Sequence, residues 1–177
     1  MNRHTLALPS PIGSIAVLAS PRGLVACVFG ASRERAIAQF AARSDALGDH
    51  GKGSEQHLVA ARDWLTAYFA GDLDRLRPAL DPGGSDFFRS VWQALCAIPA
   101  GITRSYGELA ALVGRPGAAR AIGMANHRNP IGLIVPCHRV IGASGQLTGY
   151  AAGLATKAWL LDHERHHAGL TTPTATR

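Results

Sequence analysis

The 177-residue chain has few cysteines and no long apolar run, and both shortages restrict what it can be. No stretch of about 18 or more consecutive apolar residues is present, so a membrane span is not indicated. Residues 1–4 have no apolar segment behind them, which argues against a signal peptide. The three cysteines, Cys27, Cys96 and Cys137, are far apart and odd in number. This usage favours a reducing cytoplasm over a disulfide framework.

Acidic residues are scarce in the second half of the chain. Residues 1–85 hold nine Lys or Arg and eight Asp or Glu, a net +1, whereas residues 86–177 hold nine against four, a net +5. Between Phe87 and Ile141 there is one acidic residue, Glu108, but there are six arginines: Arg89, Arg104, Arg115, Arg120, Arg128 and Arg139. Such a cationic segment favours a polyanionic partner, the alternative being a surface that is merely soluble.

The first half has the pattern of a small antiparallel sheet followed by helices. Strand-like segments at residues 4–8, 14–18 and 23–29 are separated by the turns P-S-P-I-G and S-P-R-G. Periodicity then predicts helices over about 32–43 and 55–70. The second of these is expected to bury Leu58, Val59, Trp64, Leu65 and Phe69. No chemical constellation stands out in this half, so we expect it to act as a scaffold.

Prolines and paired glycines between residues 71 and 84 predict a connection between two domains, 1–84 and 85–177. The second domain begins with a helix predicted over residues 86–98, which Ser85 or Asp86 can cap.

A helical hairpin is predicted next. The S-Y-G-E segment at residues 105–108 has the spacing of a capping box and starts a short helix that Gly114 stops. A second helix is predicted from Pro116, at its first turn, to about His127. Two short helices around a glycine turn have the dimensions of a helix-turn-helix, although such a hairpin can also be plain core.

The second helix of this hairpin carries little that can read base edges. Across its leading face, residues 117–123, Arg120 is the only long polar side chain. A smooth helix with one arginine suits the minor groove, about 6 Å wide, with the guanidinium inserted as a wedge. The pattern predicts DNA binding with little sequence preference.

The segment N-P-I-G-L-I-V-P-C-H-R-V at residues 129–140 holds a candidate nucleophile. Its apolar run leads through a proline to Cys137, which has His138 and Arg139 beside it. Cationic neighbours favour the thiolate, the reactive form of the side chain. The alternative is a buried thiol that packs as a small hydrophobe.

The last helix is predicted from about Leu154 to His166, with its buried side formed by Ala155, Ala158, Leu160 and Leu161. Glu164 continues that side, where a lone carboxylate is costly unless it is partnered. It is either an exposed residue on a fraying turn or an inward carboxylate that orients His138. His163 and His167 are four residues apart and could share a metal, but no further ligand is in view, which favours a solvated tail.

Together these motifs resemble the O6-alkylguanine-DNA alkyltransferases, also called methylated-DNA–protein-cysteine methyltransferases. The likeness spans the second half, at S-Y-G-E-L-A (105–110), A-A-R-A-I-G (118–123), N-P (129–130), P-C-H-R-V (136–140), G-Y (149–150) and K-x-W-L-L-x-x-E (157–164). The first half matches only in outline. The resemblance implies an α/β (α+β) fold, with a small antiparallel-sheet, ribonuclease-H-like N-terminal domain and a mainly helical C-terminal domain containing a helix-turn-helix.

The resemblance also implies catalytic roles. Cys137 would accept the alkyl group, His138 would deprotonate it through a water, and Glu164 would hold the imidazole in the required tautomer. Asn129 would be the hinge between the recognition helix and the active-site loop. Tyr106 would assist base extrusion and donate its hydroxyl to the leaving guanine.

Further residues would contact the DNA and the extruded base. Arg120 would enter the stack in place of the flipped nucleotide, and the DNA-binding surface would also include Tyr106, Ala118, Ala119 and Arg128. The base pocket would be lined by Val140, Tyr150 and Ala151, the last standing where some members have Ser. Some members bind zinc through two Cys and two His in the first domain, but Cys27 is the only cysteine there, so no metal is expected.

The implied function is DNA repair by single-turnover transfer of an alkyl group, chiefly methyl, from O6-alkylguanine in duplex DNA to Cys137. Minor-groove binding and base flipping would accompany it, O4-alkylthymine is left open as a second substrate, and no cofactor is expected. We expect a cytoplasmic monomer whose partner is double-stranded alkylated DNA and not a membrane. The alternatives are a binding-only recognition protein, a redox-sensing helix-turn-helix regulator and a cysteine hydrolase.

Overall fold

The computed structural model describes residues 5–30 and 53–170. It shows a small antiparallel sheet in the first half and a mainly helical second half, which confirms the predicted fold class. The helix predicted over residues 32–43 lies outside the described residues. Within the described part of the chain, no helix is both long and apolar enough to cross a membrane.

The sheet has the strand order β1-β2-β3, with β1 at Thr5–Leu8, β2 at Ile15–Ser20 and β3 at Gly23–Phe29. Both strand pairs are antiparallel, as the short turns between the predicted strands require. Helix α1, Ser54–Phe69, packs against β2 and β3, so β2 is buried along nearly all its length.

Helix α1 buries a different stripe from the predicted one. Leu58, Trp64 and Leu65 are buried as expected, but Val59 is 41% exposed and Tyr68 is buried instead. Leu58, Leu65 and Tyr68 are separated by seven and three residues and therefore share one helix face, whereas Val59 is turned about 100° away from Leu58.

The second half consists of α2 (Asp86–Cys96), β4 (Arg104–Ser105), α3 (Tyr106–Leu112), α4 (Ala119–His127), a single 3₁₀ turn (Cys137–Arg139), β5 (Val140–Ile141) and α5 (Leu154–His167). The two short strands, β4 and β5, pair in parallel.

Both predicted helix starts with a serine cap are confirmed. The Ser85 hydroxyl accepts a hydrogen bond from the amide of Phe88 at the start of α2. At α3, the Ser105 hydroxyl accepts from the Glu108 amide at 3.2 Å, and the Glu108 carboxylate accepts from the Ser105 amide at 2.7 Å. This reciprocal pair satisfies two amides that the helix itself leaves without partners.

Helix α4 begins later than predicted. Pro116 and Gly117 belong to the preceding turn, because Gly117 has a φ of +86°, which lies outside the helical region and favours glycine. Ala118 is the first residue outside the helix, and no side chain caps it. The turn that separates α3 from α4 is therefore longer, and α4 shorter, than the sequence pattern indicated.

Helix α5 turns a lysine inward where the periodicity predicted alanines. Leu160, Leu161 and Glu164 are buried, but Ala155 is exposed and Lys157 is fully buried. The aliphatic stem of a lysine can cover apolar surface while its ammonium reaches polar partners, so residue type alone concealed this position.

The two halves meet directly beside the candidate nucleophile. The Cys27 amide of β3 donates to the Pro130 carbonyl at 2.9 Å, and Cys27 and Ile131 form a parallel bridge. On the other side, the Trp92 indole of α2 donates to the Ala125 carbonyl of α4 at 2.9 Å. The segment that leads to Cys137 is thus held between the sheet of the first half and the helices of the second.

The capping box at α3 yields a stability prediction. Replacing Ser105 with Ala removes the acceptor for the Glu108 amide, so we expect the free energy of unfolding to fall by about 1 kcal/mol. Denaturant unfolding of both proteins measures this difference. Ser105→Thr keeps the hydroxyl and should lose much less; equal losses in the two variants would contradict a capping role.

Candidate active site

A cavity of about 690 Å³ opens between α4, the end of β3 and residues 148–152. Cys137 lines this cavity and is 9% exposed. Cys137 is therefore a buried residue that borders the cavity, which is where a nucleophile for a bound substrate must lie. Cys27 also lines the cavity, but burial raises the pKa of its thiol to about 12, which keeps it protonated.

Asn129 holds the segment before the nucleophile in a tight turn. Its side-chain amide donates to the Val135 carbonyl at 2.8 Å, and its side-chain oxygen accepts from the Ile131 amide at 3.0 Å. The same amide nitrogen lies 3.3 Å from the Cys137 sulfur and donates to it. Asn129 thus links the end of α4 to the sulfur, in the position predicted for a hinge.

The turn contains a strained residue that the sequence does not signal. Leu133 has a φ of +71°, in the left-handed region, although it is neither glycine nor asparagine. Such a backbone costs roughly 1–2 kcal/mol and persists only where the surroundings determine it. Leu133 is buried, and the Val135 amide donates to the Ile131 carbonyl across it. The strain is therefore located in the segment that aims Cys137 at the cavity.

His138 and Glu164 are in contact and fully buried. The His138 Nε2 atom lies 2.8 Å from Glu164 Oε1. Burial lowers the pKa of His138, so the ring is neutral at pH 7 despite the nearby carboxylate. Because Glu164 is an acceptor, Nε2 must carry the ring hydrogen, which leaves Nδ1 as the basic nitrogen. Nδ1 is buried and makes no hydrogen bond with any described residue.

Glu164 is a buried carboxylate surrounded by donors. Arg139 binds it twice, with Nε 2.9 Å from Oε2 and Nη2 2.7 Å from Oε1. The Tyr68 hydroxyl donates to Oε1 at 2.9 Å, and the Gly101 amide donates to Oε2 at 3.1 Å. Burial alone would raise the pKa of the Glu164 carboxyl, but His138 and Arg139 outweigh it and hold that pKa well below its usual range. Since His138 is neutral, the permanent charge of Arg139 is the main cause.

The sequence-based expectation that Arg139 favours the Cys137 thiolate is wrong. The guanidinium is buried and turns away from the sulfur to bind Glu164 and the carbonyl of Ile98. Burial raises the pKa of the Cys137 thiol, and the Asn129 hydrogen bond and the charge of Lys157 oppose this rise. The cation that acts on the sulfur is therefore on α5, twenty residues further along the chain.

Lys157 connects two segments of the site that sequence reasoning left separate. Its ammonium donates to the Val140 carbonyl at 2.6 Å and to the Thr148 carbonyl at 2.8 Å. These bonds close the loop between β5 and the cavity wall. Its membership of the K-x-W-L-L-x-x-E motif was the only signal in the sequence, and that motif alone does not indicate burial.

Most of the predicted pocket and DNA-contacting residues line the same cavity. Tyr106, Ala119, Arg120, Tyr150 and Ala151 are all part of its wall. The Thr148 hydroxyl, not predicted, donates to the Tyr106 hydroxyl oxygen at 3.2 Å, which leaves the phenol hydrogen free to point elsewhere.

Five predicted site residues lie apart from the cavity wall: the catalytic candidates His138 and Glu164, which are buried, and three of the pocket and DNA-contacting residues. Val140 is fully buried and its carbonyl is occupied by Lys157. Ala118 precedes α4 and is half-buried, and Arg128 is exposed just after α4. Ala118 and Arg128 lie at the two ends of α4, which borders the cavity, whereas Val140 lies in the core.

The arginines of the cationic segment differ in their burial and in their ion pairs. Arg139 is buried, Arg89 pairs with Asp86, and Arg104 lies near Glu108. Arg115, Arg120 and Arg128 are exposed and form no ion pair with the described residues. The positive charge that remains available to a partner is thus concentrated around α4, next to the cavity.

The histidines of α5 have structural contacts. His163 Nε2 lies 2.8 Å from the Tyr68 carbonyl and its ring stacks on Trp159, while His167 Nδ1 lies 2.9 Å from the His163 carbonyl. His163 is therefore half-buried and packed, not part of a solvated tail. No group of three potential metal ligands is found among residues 5–30 and 53–170.

The chain matches two sequence profiles that together span most of its length. Residues 3–82 match the ribonuclease-like domain of 6-O-methylguanine DNA methyltransferase, and residues 86–166 match the DNA-binding domain of the same family.

Named relatives and solved structures agree with these profiles. The methylated-DNA–protein-cysteine methyltransferase of Mycobacterium leprae is 63% identical over 58% of this chain, a match that spans 62% of that protein. Its namesake in Methanosarcina barkeri is 44% identical over 90% of this chain and 96% of its own length. The crystal structure of Mycobacterium tuberculosis OGT in complex with DNA is similar with a TM-score of 0.76, at 43% identity over 93% of this chain and 94% of that one.

The position of Lys157 yields a prediction about the thiol. Lys157→Met keeps the length of the side chain but removes the charge that stabilises the thiolate, so the pKa of Cys137 should rise. If it rises by about one, a tenth of the thiolate remains at neutral pH. The rate of Cys137 alkylation by iodoacetamide, followed by peptide mass against pH, should therefore shift to higher pH.

The matched control for this experiment is Arg165→Met, which removes a half-buried cation from the same helix, one that pairs with Asp162 and not with Cys137. It should leave the alkylation profile unchanged. A Lys157→Met profile that coincides with that of the unmodified chain would show that the lysine does not act on the sulfur.

Proposed function

Because the chain belongs to the 6-O-methylguanine DNA methyltransferase family, we propose that it repairs alkylated DNA by moving the alkyl group from guanine O6 to the sulfur of Cys137. The observation that carries this proposal is the meeting of three features at one cavity. Cys137 lies in its wall, the buried His138–Glu164 pair adjoins Cys137 in the chain, and an exposed arginine-bearing helix forms its rim.

The chemical step needs a thiolate, and His138 is the group that produces it. The Cys137 proton passes, across one bridging water, to His138 Nδ1, whose lone pair is free because Nε2 donates to Glu164. The resulting imidazolium is stabilised by the carboxylate, which fixes the ring orientation at the same time. The thiolate then attacks the alkyl carbon, a new S–C bond forms, and the C–O6 bond breaks with its electron pair going to the guanine.

The guanine leaves as an anion, so a hydrogen-bond donor beside it lowers the barrier. Tyr106 is suited to this role because Thr148 already donates to its oxygen, which leaves the phenol hydrogen for the base. Tyr150 and Ala151 form the wall near the sulfur. A thioether cannot be reversed by any of these groups, so each molecule acts once and needs no cofactor.

Access to O6 in a duplex requires the base to leave the stack, at a cost of a few kcal/mol. The exposed part of α4 offers small side chains at its start and one long cation, Arg120, at the rim of the cavity. This shape fits a minor groove, with Arg120 filling the vacated place in the stack and Tyr106 directing the base inward. Ala118, Ala119 and Arg128 would follow the backbone beside it, with little sequence preference.

Several finer points complete the proposal. The chain acts as a monomer in the cytoplasm, with domains at residues 1–84 and 85–177. Asn129, which bonds to both the pre-nucleophile turn and the sulfur, couples the DNA-binding helix to the reactive thiol.

The proposed activity predicts a single mass change. Incubation with an oligonucleotide duplex that contains O6-methylguanine should add one methyl group per molecule, on the peptide containing Cys137. Cys137→Ala should abolish the addition while duplex binding persists. Cys96→Ala, which removes a thiol outside the cavity, is the matched control and should transfer normally. A methyl group found elsewhere would reject Cys137 as the acceptor.

The proposed flipping role of Arg120 predicts a difference between substrates. Arg120→Ala should slow transfer from duplex DNA by roughly 10- to 100-fold, since stabilisation of the flipped state is lost, but should leave transfer from a free O6-benzylguanine base nearly unchanged. Single-turnover rates on both substrates measure this.

Arg115→Ala serves as the control for this variant because Arg115 is exposed on the same cationic surface but does not line the cavity. It should weaken DNA affinity without changing the rate of transfer from bound duplex. Equal losses on duplex and free base in Arg120→Ala would remove the flipping role.

A further inference from the structure

Helix α1 of the first half reaches the catalytic pair through Tyr68. The side chain is buried, and its hydroxyl donates to Glu164 Oε1 at 2.9 Å. That oxygen also accepts from His138. We infer that Tyr68 is a positioning residue for the alkyl transfer, and that the first half of the chain therefore takes part in the reaction. This inference rests on the proposed function, because it assumes that His138 is the base.

Tyr68 competes with His138 for hydrogen bonding to the same oxygen, Glu164 Oε1. Glu164 Oε1 accepts three hydrogen bonds, from the Tyr68 hydroxyl, His138 Nε2 and Arg139 Nη2. A carboxylate oxygen offers about two lone-pair directions, so three donors compete for the same electron density. The strength with which Oε1 holds the imidazole hydrogen therefore depends on whether Tyr68 is also bound there.

The phenol is held so that it cannot leave this position easily. Its ring stacks on Trp64 at a centroid distance of 5.2 Å and meets Phe69 edge-on at 5.3 Å. Its backbone carbonyl lies 2.8 Å from His163 Nε2, on the same helix that carries Glu164. Tyr68 is thus fixed to α5 both through its backbone and through its hydroxyl.

The direction of the effect follows from electrostatics. Without the phenol donor, Oε1 keeps more of its negative charge for His138, which stabilises the imidazolium form and raises its pKa. The ring also loses one constraint on the position of its carboxylate partner. The charged or titratable groups that surround His138 are Glu164 and Lys157 from α5, Arg139 and Cys137 from its own turn, and Tyr150 from the following loop. Two groups of the first half act on it through Glu164: Tyr68 by a hydrogen bond, and Arg77 by its charge.

The test is Tyr68→Phe, which removes one oxygen and leaves Glu164 with its bonds to Arg139, His138 and Gly101, so that the fold is retained. The single-turnover rate of methyl transfer from an O6-methylguanine duplex is measured against pH. We expect a maximal rate lower by about tenfold, well within the hundredfold or more that a positioned base contributes. The acidic limb of the profile should move to higher pH, because His138 stays protonated further up the scale.

A matched variant separates positioning from stability. Ser20→Ala also removes a side-chain donor from the first half, since the Ser20 hydroxyl donates to Asp81 Oδ2 at 2.7 Å, but this contact involves neither Tyr68 nor Glu164. It should lower the thermal midpoint without moving the pH profile. Nitrogen-15 NMR titration of labelled histidine gives the His138 pKa directly and should show the rise only in Tyr68→Phe.

The outcomes are distinguishable. A slower Tyr68→Phe variant with a displaced acidic limb, beside a Ser20→Ala variant whose profile is not displaced, supports the inference. Identical profiles for Tyr68→Phe and the unmodified chain, or equal displacement in both variants, would overturn it while leaving the proposed function intact. An unmodified chain that transfers no methyl group to Cys137 would instead overturn the proposed function, and the inference with it.

Discussion

One buried carboxylate, that of Glu164, joins the parts of the molecule on which the site depends. It accepts hydrogen bonds from α1, from the loop after α2 and from the 3₁₀ turn that carries the nucleophile. A buried charge is stable only when it is paired and its remaining lone pairs are satisfied, so these segments must all be in place at once. The buried guanidinium of Arg139 supplies the opposite charge. Because ionised Glu164 accepts a hydrogen bond from Nε2 of His138, Nδ1 is left as the basic nitrogen. The contacts that stabilise the buried carboxylate therefore also determine the tautomer of His138.

Cys137, the proposed nucleophile, is positioned by a second, smaller set of contacts on the other side of the 3₁₀ turn. Asn129 holds the strained turn that precedes Cys137, and Lys157 ties the strand that follows it to the cavity wall. Both groups also face the sulfur and favour its thiolate form. The backbone around Cys137 is thus determined by side chains that also take part in its electrostatics, so the strain at Leu133 can persist.

Features encoded within a few residues were predictable, and so was the family. The capping box at Ser105 and the strands β1 to β3 depend on local spacing, and the motifs around Cys137 correctly indicated the family that the profiles and relatives confirm. Helical periodicity continued the buried side of the last helix to Glu164, and of the two alternatives left open for this residue the structure shows the inward one. Side-chain direction was harder to predict. Arg139 neighbours Cys137 in sequence, yet the 3₁₀ turn sends its guanidinium the opposite way.

Other features depend on tertiary contacts that leave no pattern in the sequence. Lys157 can be buried because its ammonium donates to two backbone carbonyls outside its own helix. Nothing in the sequence of that helix indicates these partners. Tyr68 was overlooked because its partner lies 96 residues away, in the other half of the chain. The first half was therefore interpreted as a scaffold, although it supplies a donor to the Glu164 carboxylate and a strand edge beside the segment that leads to Cys137.

The burial of Cys137 suits its proposed role as a nucleophile that reacts once. If the thioether proposed for Cys137 is permanent, a thiol that was ionised and open at rest would be consumed by any small electrophile. Burial raises the pKa of the resting thiol and limits its exposure to the cavity. A substrate that fills the cavity excludes water from the thiolate, which strengthens both its attraction to Lys157 and its reactivity toward carbon. Reaction then depends on a base that fits the cavity, so selectivity and protection of the sulfur arise from the same low-dielectric surroundings.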